Sequence, residues 1–94
     1  MERERVTVCF AGRVQGVGFR YAVKVLATGF EVVGTICNLA DGRVELVAEG
    51  QRAELEGFCD AIRESQVGSF IRRERVVWGP PTGMLRGFGI LKEP

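Results

Sequence analysis

No histidine occurs among the 94 residues. With it go the usual general base of serine- and cysteine-type hydrolases and the commonest zinc ligand, so the chain lacks the parts for those chemistries. The 3 cysteines, Cys9, Cys37 and Cys59, are odd in number and widely spaced, with no C-x-x-C pair. They are expected as buried free thiols rather than as a disulfide framework or metal site. Charge of one sign is lacking too. The 13 Lys and Arg against 12 Asp and Glu leave a net charge of +1, which argues against broad capture of nucleic acid or acidic membranes. Any anion site must therefore be local. No apolar run is long enough to span a bilayer, and Met1-Glu2-Arg3-Glu4-Arg5 is charged where a signal peptide would be apolar. The expected location is the cytoplasm. Linkers, repeats and low-complexity tracts are absent, and a chain of this length suits one domain, burying somewhat over ~60% of its unfolded surface.

What is present is a clear alternation of periods. Arg5 to Ala11 puts Val6, Val8 and Phe10 on one face, the period of a strand. From Phe19 to Thr28 the spacing of Ala22, Val25 and Leu26 predicts a short helix, with Gly29 expected as a left-handed cap. Phe30 to Asn38 is rich in β-branched residues, Asp41-Gly42 reads as a turn, and Arg43 to Glu49 alternates again, so a hairpin is expected. Leu55, Phe58, Cys59 and Ile62 fall at i, i+3, i+4 and i+7 of a second helix over 52–65. Phe70 to Trp78 predicts a strand whose interleaved arginines protect an exposed edge, with Trp78 anchoring the following loop. After the Pro80-Pro81 turn, Leu85 to Leu91 adds a last strand. This order predicts an α+β, ferredoxin-like split β-α-β sandwich: two helices on one face of an antiparallel sheet, with a short closing strand.

Between the first strand and first helix lies Gly12-Arg13-Val14-Gln15-Gly16-Val17-Gly18-Phe19-Arg20. Glycines here allow positive φ and let successive N–H groups turn inward, while the helix start adds unpaired amides and partial positive charge. Arg20 contributes a planar, permanently charged fork that matches phosphate oxygens in geometry and sign. The pattern is that of an anion cradle.

Taken together with Gly34-Thr35-Ile36-Cys37-Asn38, Asp41-Gly42-Arg43-Val44-Glu45, Pro80-Pro81-Thr82-Gly83 and Gly87-Phe88-Gly89-Ile90, this segment resembles the signature segments of the acylphosphatase family, from Val6 to Ile90. The resemblance implies one domain over 5–92 that hydrolyses small acyl phosphates to carboxylate and inorganic phosphate, as a monomer, with no metal or other cofactor. It implies that the backbone amides of Gln15, Gly16, Val17, Gly18 and Phe19, with Arg20, bind the phosphate, and that Asn38 orients the attacking water. Gln15 is expected to brace the loop through its side chain and Phe19 to pack beneath it. The leaving group suits such a site, because a carboxylate whose conjugate acid has a pKa of roughly 4 departs without a general acid. Catalysis is then a matter of positioning and electrostatics.

Two positions depart from the family pattern. Thr35 stands where tryptophan is common and Cys37 where a basic residue is common; the first change is expected to loosen packing and the second to weaken attraction for the substrate. Neither removes an essential group. The competing reading is a non-catalytic anion-binding or interaction module of the same fold, since related domains also stand at the front of larger carbamoyl-transfer maturation proteins. A chain ending at Pro94 without a further domain is expected of an independent enzyme. RNA recognition, which this fold also serves, is discounted because Arg43 to Glu49 carries no aromatic residue and two acidic ones.

Overall fold

Val6, Val8 and Phe10 alternate along β1 (Arg3–Gly12) and are at most 1% exposed, and the core grows from this row. The computed structural model describes residues 2–92. After β1 come α1 (Phe19–Ala27), β2 (Val32–Asn38), β3 (Val44–Gln51), α2 (Arg52–Glu64), a short 3-10 turn (Gln66–Phe70), β4 (Ile71–Gly79) and β5 (Phe88–Leu91). The strands form one sheet in the order β4-β1-β3-β2-β5. The first four pair antiparallel, and only the closing β5 runs parallel, against β2. The ferredoxin-like expectation is met, with a mixed rather than wholly antiparallel sheet.

Register explains which face is buried. Val6 pairs with Ala48, Val8 with Leu46 and Phe10 with Val44, while Ile36 lies opposite Leu46 from the other side. Pairs share a face, so these apolar residues form a continuous patch. Both helices cover it. α2 contributes the four residues its periodicity marks, Leu55, Phe58, Cys59 and Ile62, all buried. Aromatic contacts tie the layers together: Phe10 meets Phe19 of α1 at 5.1 Å between ring centroids, and Phe58 meets Phe88 of β5 edge-on at 5.6 Å. Such pairs add about 0.5–1.5 kcal/mol beyond the area they bury.

Three local expectations require correction. α1 buries Phe19, Val23 and Ala27, spaced i, i+4 and i+8, whereas Val25 is 49% exposed. Phe19, anchored on Phe10, fixes the helix rotation and turns Val25 outward, leaving Ala22 and Leu26 at the margin of the stripe. Gly29 is not a left-handed cap; the helix is closed by Thr28, whose N–H and hydroxyl both donate to the Val25 carbonyl, at 3.1 and 2.7 Å. Trp78 lies within β4, and its partner is not a loop but Arg52 at the start of α2, whose guanidinium sits 3.7 Å over the ring centroid. The edge position of β4 and the free state of all three thiols match expectation. Cys37 and Cys59 are buried and Cys9 is half-buried. Burial raises the thiol of Cys59 to about 11, which makes it an inert packing group.

The face of the sheet away from the helices is closed at one end by a buried carboxylate. Chain connection forces this, because β4 and β5 occupy opposite edges and the segment between them must pass across the sheet. Glu49 of β3, 0% exposed, holds that segment. It accepts hydrogen bonds from Thr82 N (2.9 Å), Thr82 Oγ1 (3.0 Å), Gly83 N (3.1 Å) and the guanidinium of Arg5 (3.1 Å). Burial by itself pushes the Glu49 carboxyl up, but these donors outweigh it and hold the group below its ordinary value. Because the folded value is depressed, the associated stability is complete above the unfolded carboxylate value of about 4.3 and is lost as pH falls through the folded value. Glu49→Gln is therefore expected to lower unfolding free energy at pH 7 by roughly 2–4 kcal/mol, discounted from a fully buried pair because Arg5 is partly solvated. The gap from wild type should narrow below about pH 4, where the wild-type carboxyl also protonates. Urea titrations at pH 7 and pH 3 measure both, and a pH-independent difference would refute the assignment.

Candidate active site

The segment joining β1 to α1 is shaped by three glycines with positive φ: Gly12 at 133°, Gly16 at 77° and Gly18 at 78°. Their reasons differ. At Gly12 a Cβ would collide with the Phe70 carbonyl and approach the Arg72 nitrogen at 2.9 Å, so the position is steric as well as conformational. At Gly16 and Gly18 a Cβ would meet nothing within 4 Å, and only the backbone conformation demands glycine. Open space over both is what an incoming ligand requires.

The loop is held from below and behind. Val14 and Phe19 are each 1% exposed and anchor its two ends in the core. Gln15 braces it through its side chain, as expected: Nε2 donates to the Leu39 carbonyl at 2.9 Å and the Arg43 carbonyl at 3.0 Å. Those carbonyls belong to the β2–β3 turn, which begins directly after Asn38. The turn is itself closed by Leu39 N to Arg43 O (2.8 Å) and Gly42 N to Leu39 O (3.2 Å), with Gly42 at φ 96°. Gln15 thus locks the glycine loop to the strand end that carries Asn38. The gripping carbonyls are invisible to side-chain motif reasoning; the signal available was a single amide side chain in a glycine-rich loop.

Donors are left over. Among the described residues, no acceptor engages the N–H groups of Gln15, Gly16, Val17 or Gly18. α1 follows Gly18 without a side-chain cap and without an acidic residue in its first turn, so its own first amides are free as well among the described residues. Instead, that turn carries Arg20, a cation at the positive end of a helix dipole, where it opposes helix stability. No carboxylate pairs with Arg20 among the described residues. Free donors beside an uncompensated cation can receive a tetrahedral oxyanion.

Asn38 ends β2 opposite Val44, in the same row as buried Phe10, and therefore on the helix face of the sheet with α1. Its Oδ1 is buried without a hydrogen-bond partner among the described residues. An unpaired buried acceptor costs about 1–3 kcal/mol, and a half-turn about χ2 exchanges it with the NH2 group, so either end can face the loop. Thr35 and Cys37, the two departures from the family pattern, alternate with Asn38 and lie on the opposite face, Cys37 across from Glu45. A basic side chain at position 37 would project beside Glu45, on the face away from Asn38.

A two-layer α+β sandwich of two helices on one face of a five-stranded sheet defines a ferredoxin-like protein, and its β1–α1 junction leaves backbone donors open beside an arginine. The comparison with known proteins narrows this. The acylphosphatase family model matches residues 6–90, and the chain belongs to the acylphosphatase family. It is 38% identical to an acylphosphatase of Thermobifida fusca over 88 residues, 94% of this chain and 97% of that one. The crystal structure of the acylphosphatase from Bacillus subtilis superposes with a TM-score of 0.85 at 33% identity, covering 94% of this chain and 98% of that one. Full-length HypF, solved in a phosphate- and nucleotide-bound form, contains a similar region: TM-score 0.88, 25% identity, 98% of this chain but only 12% of that protein.

The glycine geometry predicts an order of tolerance. Gly16→Ala and Gly18→Ala should each cost about 1–2 kcal/mol, the price of a left-handed L-residue without a clash. Gly12→Ala should cost distinctly more, because backbone atoms must move. Thermal or urea unfolding of the three variants ranks them, and equal losses would contradict the distinction.

Proposed function

We propose that this protein hydrolyses acyl phosphates to a carboxylate and inorganic phosphate, and that residues 5–92 form the acting domain. Family membership supports the reaction. The roles of individual residues rest chiefly on one observation: Gln15 ties the loop with its unpartnered amides to the turn following Asn38.

In this reading the amides from Gln15 to Phe19 and the guanidinium of Arg20 hold the three non-bridging phosphoryl oxygens. They are arranged before substrate arrives, so charge developing in the transition state meets donors already in place. The oxygen of Asn38 accepts a hydrogen bond from water and aims it at phosphorus, in line with the departing carboxylate. Asn38 removes no proton. The water's nucleophilicity is modest, and what drives the step is the good leaving group together with a loose, electrostatically stabilised phosphoryl transition state. Gln15 serves through its backbone N–H, because its side-chain amide is committed to the turn. Phe19, buried against Phe10, fixes the height of the helix start. The protein acts as a cytoplasmic monomer on small substrates, without nucleic acid, metal or other cofactor; three free thiols suit a reducing compartment.

Hydrolysis of benzoyl phosphate in excess EDTA tests the reaction, which is expected to exceed the spontaneous rate clearly. Arg20→Gln should reduce kcat/KM by roughly 30-fold or more, corresponding to the 2–5 kcal/mol lost when a charged donor leaves a desolvated anion. Asn38→Ala should lower kcat strongly while leaving inhibition by inorganic phosphate nearly unchanged. Parallel loss of both in Asn38→Ala would contradict the division of roles, and phosphate binding by wild type without turnover would favour the non-catalytic module.

A further inference from the structure

The face of the sheet opposite the helices carries a second concentration of cations that the reaction does not use. Register places it. Ala11 of β1 pairs with Arg73 of β4, and Arg43, which precedes the Phe10 partner Val44, comes opposite Ala11 from the β3 side. One step along, Cys9 pairs with Arg75 on one side and Glu45 on the other. Strands lie about 5 Å apart, so Arg73 and Arg43 stand roughly 10 Å apart with only the methyl group of Ala11 between them. A large residue would fill that gap. The small one leaves a cavity of about 220 Å³ lined by Cys9, Ala11, Arg43, Arg73, Glu74 and Arg75.

Of the acids around this cavity, Glu74 and Asp41 are paired with arginines, while Glu45 keeps its charge and is outnumbered by the three arginines. Glu74 is bonded to Arg63 at 2.9 and 3.0 Å. Asp41 accepts from Nε of Arg43 at 2.8 Å, which steadies that guanidinium and leaves its terminal NH2 groups free. Glu45 receives the Cys9 thiol at 3.9 Å. Arg73 and Arg75, by contrast, have no ion-pair or hydrogen-bond partner among the described residues, and both are exposed on an edge strand. Two unpaired planar forks and a third held in place line one cavity over a small floor, and such forks match the oxygens of a phosphate group.

We propose that this cavity is a second anion site, separate from the cradle at the start of α1, that binds a phosphate dianion through Arg43, Arg73 and Arg75. The β-sheet separates the two sites. They can therefore be silenced one at a time, and the second stands or falls independently of the hydrolytic reading.

The test is an NMR titration of backbone amides with inorganic phosphate at low ionic strength. In Arg20→Gln, which disables the cradle, saturable shifts are expected at Cys9, Ala11 and Arg73 to Arg75. A second arm uses glycerol 3-phosphate: comparable binding assigns recognition to any terminal phosphate group, and loss of binding restricts it to the free ion. Adding R73Q and R75Q together should weaken these shifts by roughly tenfold or more, as expected for losing charge-assisted hydrogen bonds. In an otherwise wild-type chain, R73Q/R75Q should leave kcat for benzoyl phosphate unchanged and preserve spectral dispersion. If the pair disturbs the edge strand, the single variants are read instead, each with a partial loss. Absence of saturable shifts in Arg20→Gln, or shifts indifferent to R73Q and R75Q, overturns the proposal.

Discussion

Backbone donors without acceptors are the feature on which the structure turns. A protein ordinarily pairs its buried N–H groups, and it ordinarily puts acids, not arginines, at helix starts. At the β1–α1 junction four consecutive amides, on half-buried or exposed loop residues, have no protein acceptor among the described residues, and the second habit is reversed: Arg20 occupies the first helical turn. Left alone, such a segment would collapse onto its own carbonyls or find a capping side chain. It does not, because Val14 and Phe19 pin its ends in the core and Gln15 pins its middle to the β2–β3 turn. The stability that tolerates this local conflict comes from elsewhere, from the apolar patch where sheet and helices meet.

The two faces of the sheet divide the remaining work. On the helix face, alternating apolar residues build the core up to its last row, where Asn38 takes the place of an apolar side chain and brings a polar group to the rim. On the other face, no helix covers the strands among the described residues, so polar interactions fix what must stay in place. Glu49 is the clearest instance. Its carboxylate gathers Arg5, Thr82 and Gly83, and without it the crossing from β4 to β5 would have little to hold it down. Arginines from β4 and the β3 start populate the same face further along, where they both protect the open edge and frame a cavity.

Much of this was legible in the chain itself. The buried row Val6, Val8, Phe10 and the α2 stripe Leu55, Phe58, Cys59, Ile62 follow directly from periodicity, because hydrophobic burial acts on whichever face repeats. The glycine loop announced itself by composition, and the positive φ values at Gly12, Gly16 and Gly18 follow the ordinary behaviour of glycine in tight turns. Less legible was the rotation of α1. Its nine residues offer two overlapping stripes, and the contact between Phe19 and Phe10 chooses between them. Gly29 failed as a cap for a related reason: Thr28 closes the helix with its own hydroxyl, removing the need for a left-handed residue.

Local order, the sandwich architecture, the family and the identity of the candidate residues were set by sequence, because each depends on short-range periodicity or on motifs read within a few positions. Tertiary structure alone decided which carbonyls Gln15 grips, that Asn38 takes the helix face of the sheet, that Glu49 is buried beneath Thr82, and that Arg43 and Arg73 flank Ala11. Those facts depend on strand register and on contacts across 24 or more positions. A linear pattern records which side chains exist, whereas pairing between distant strands determines which of them meet.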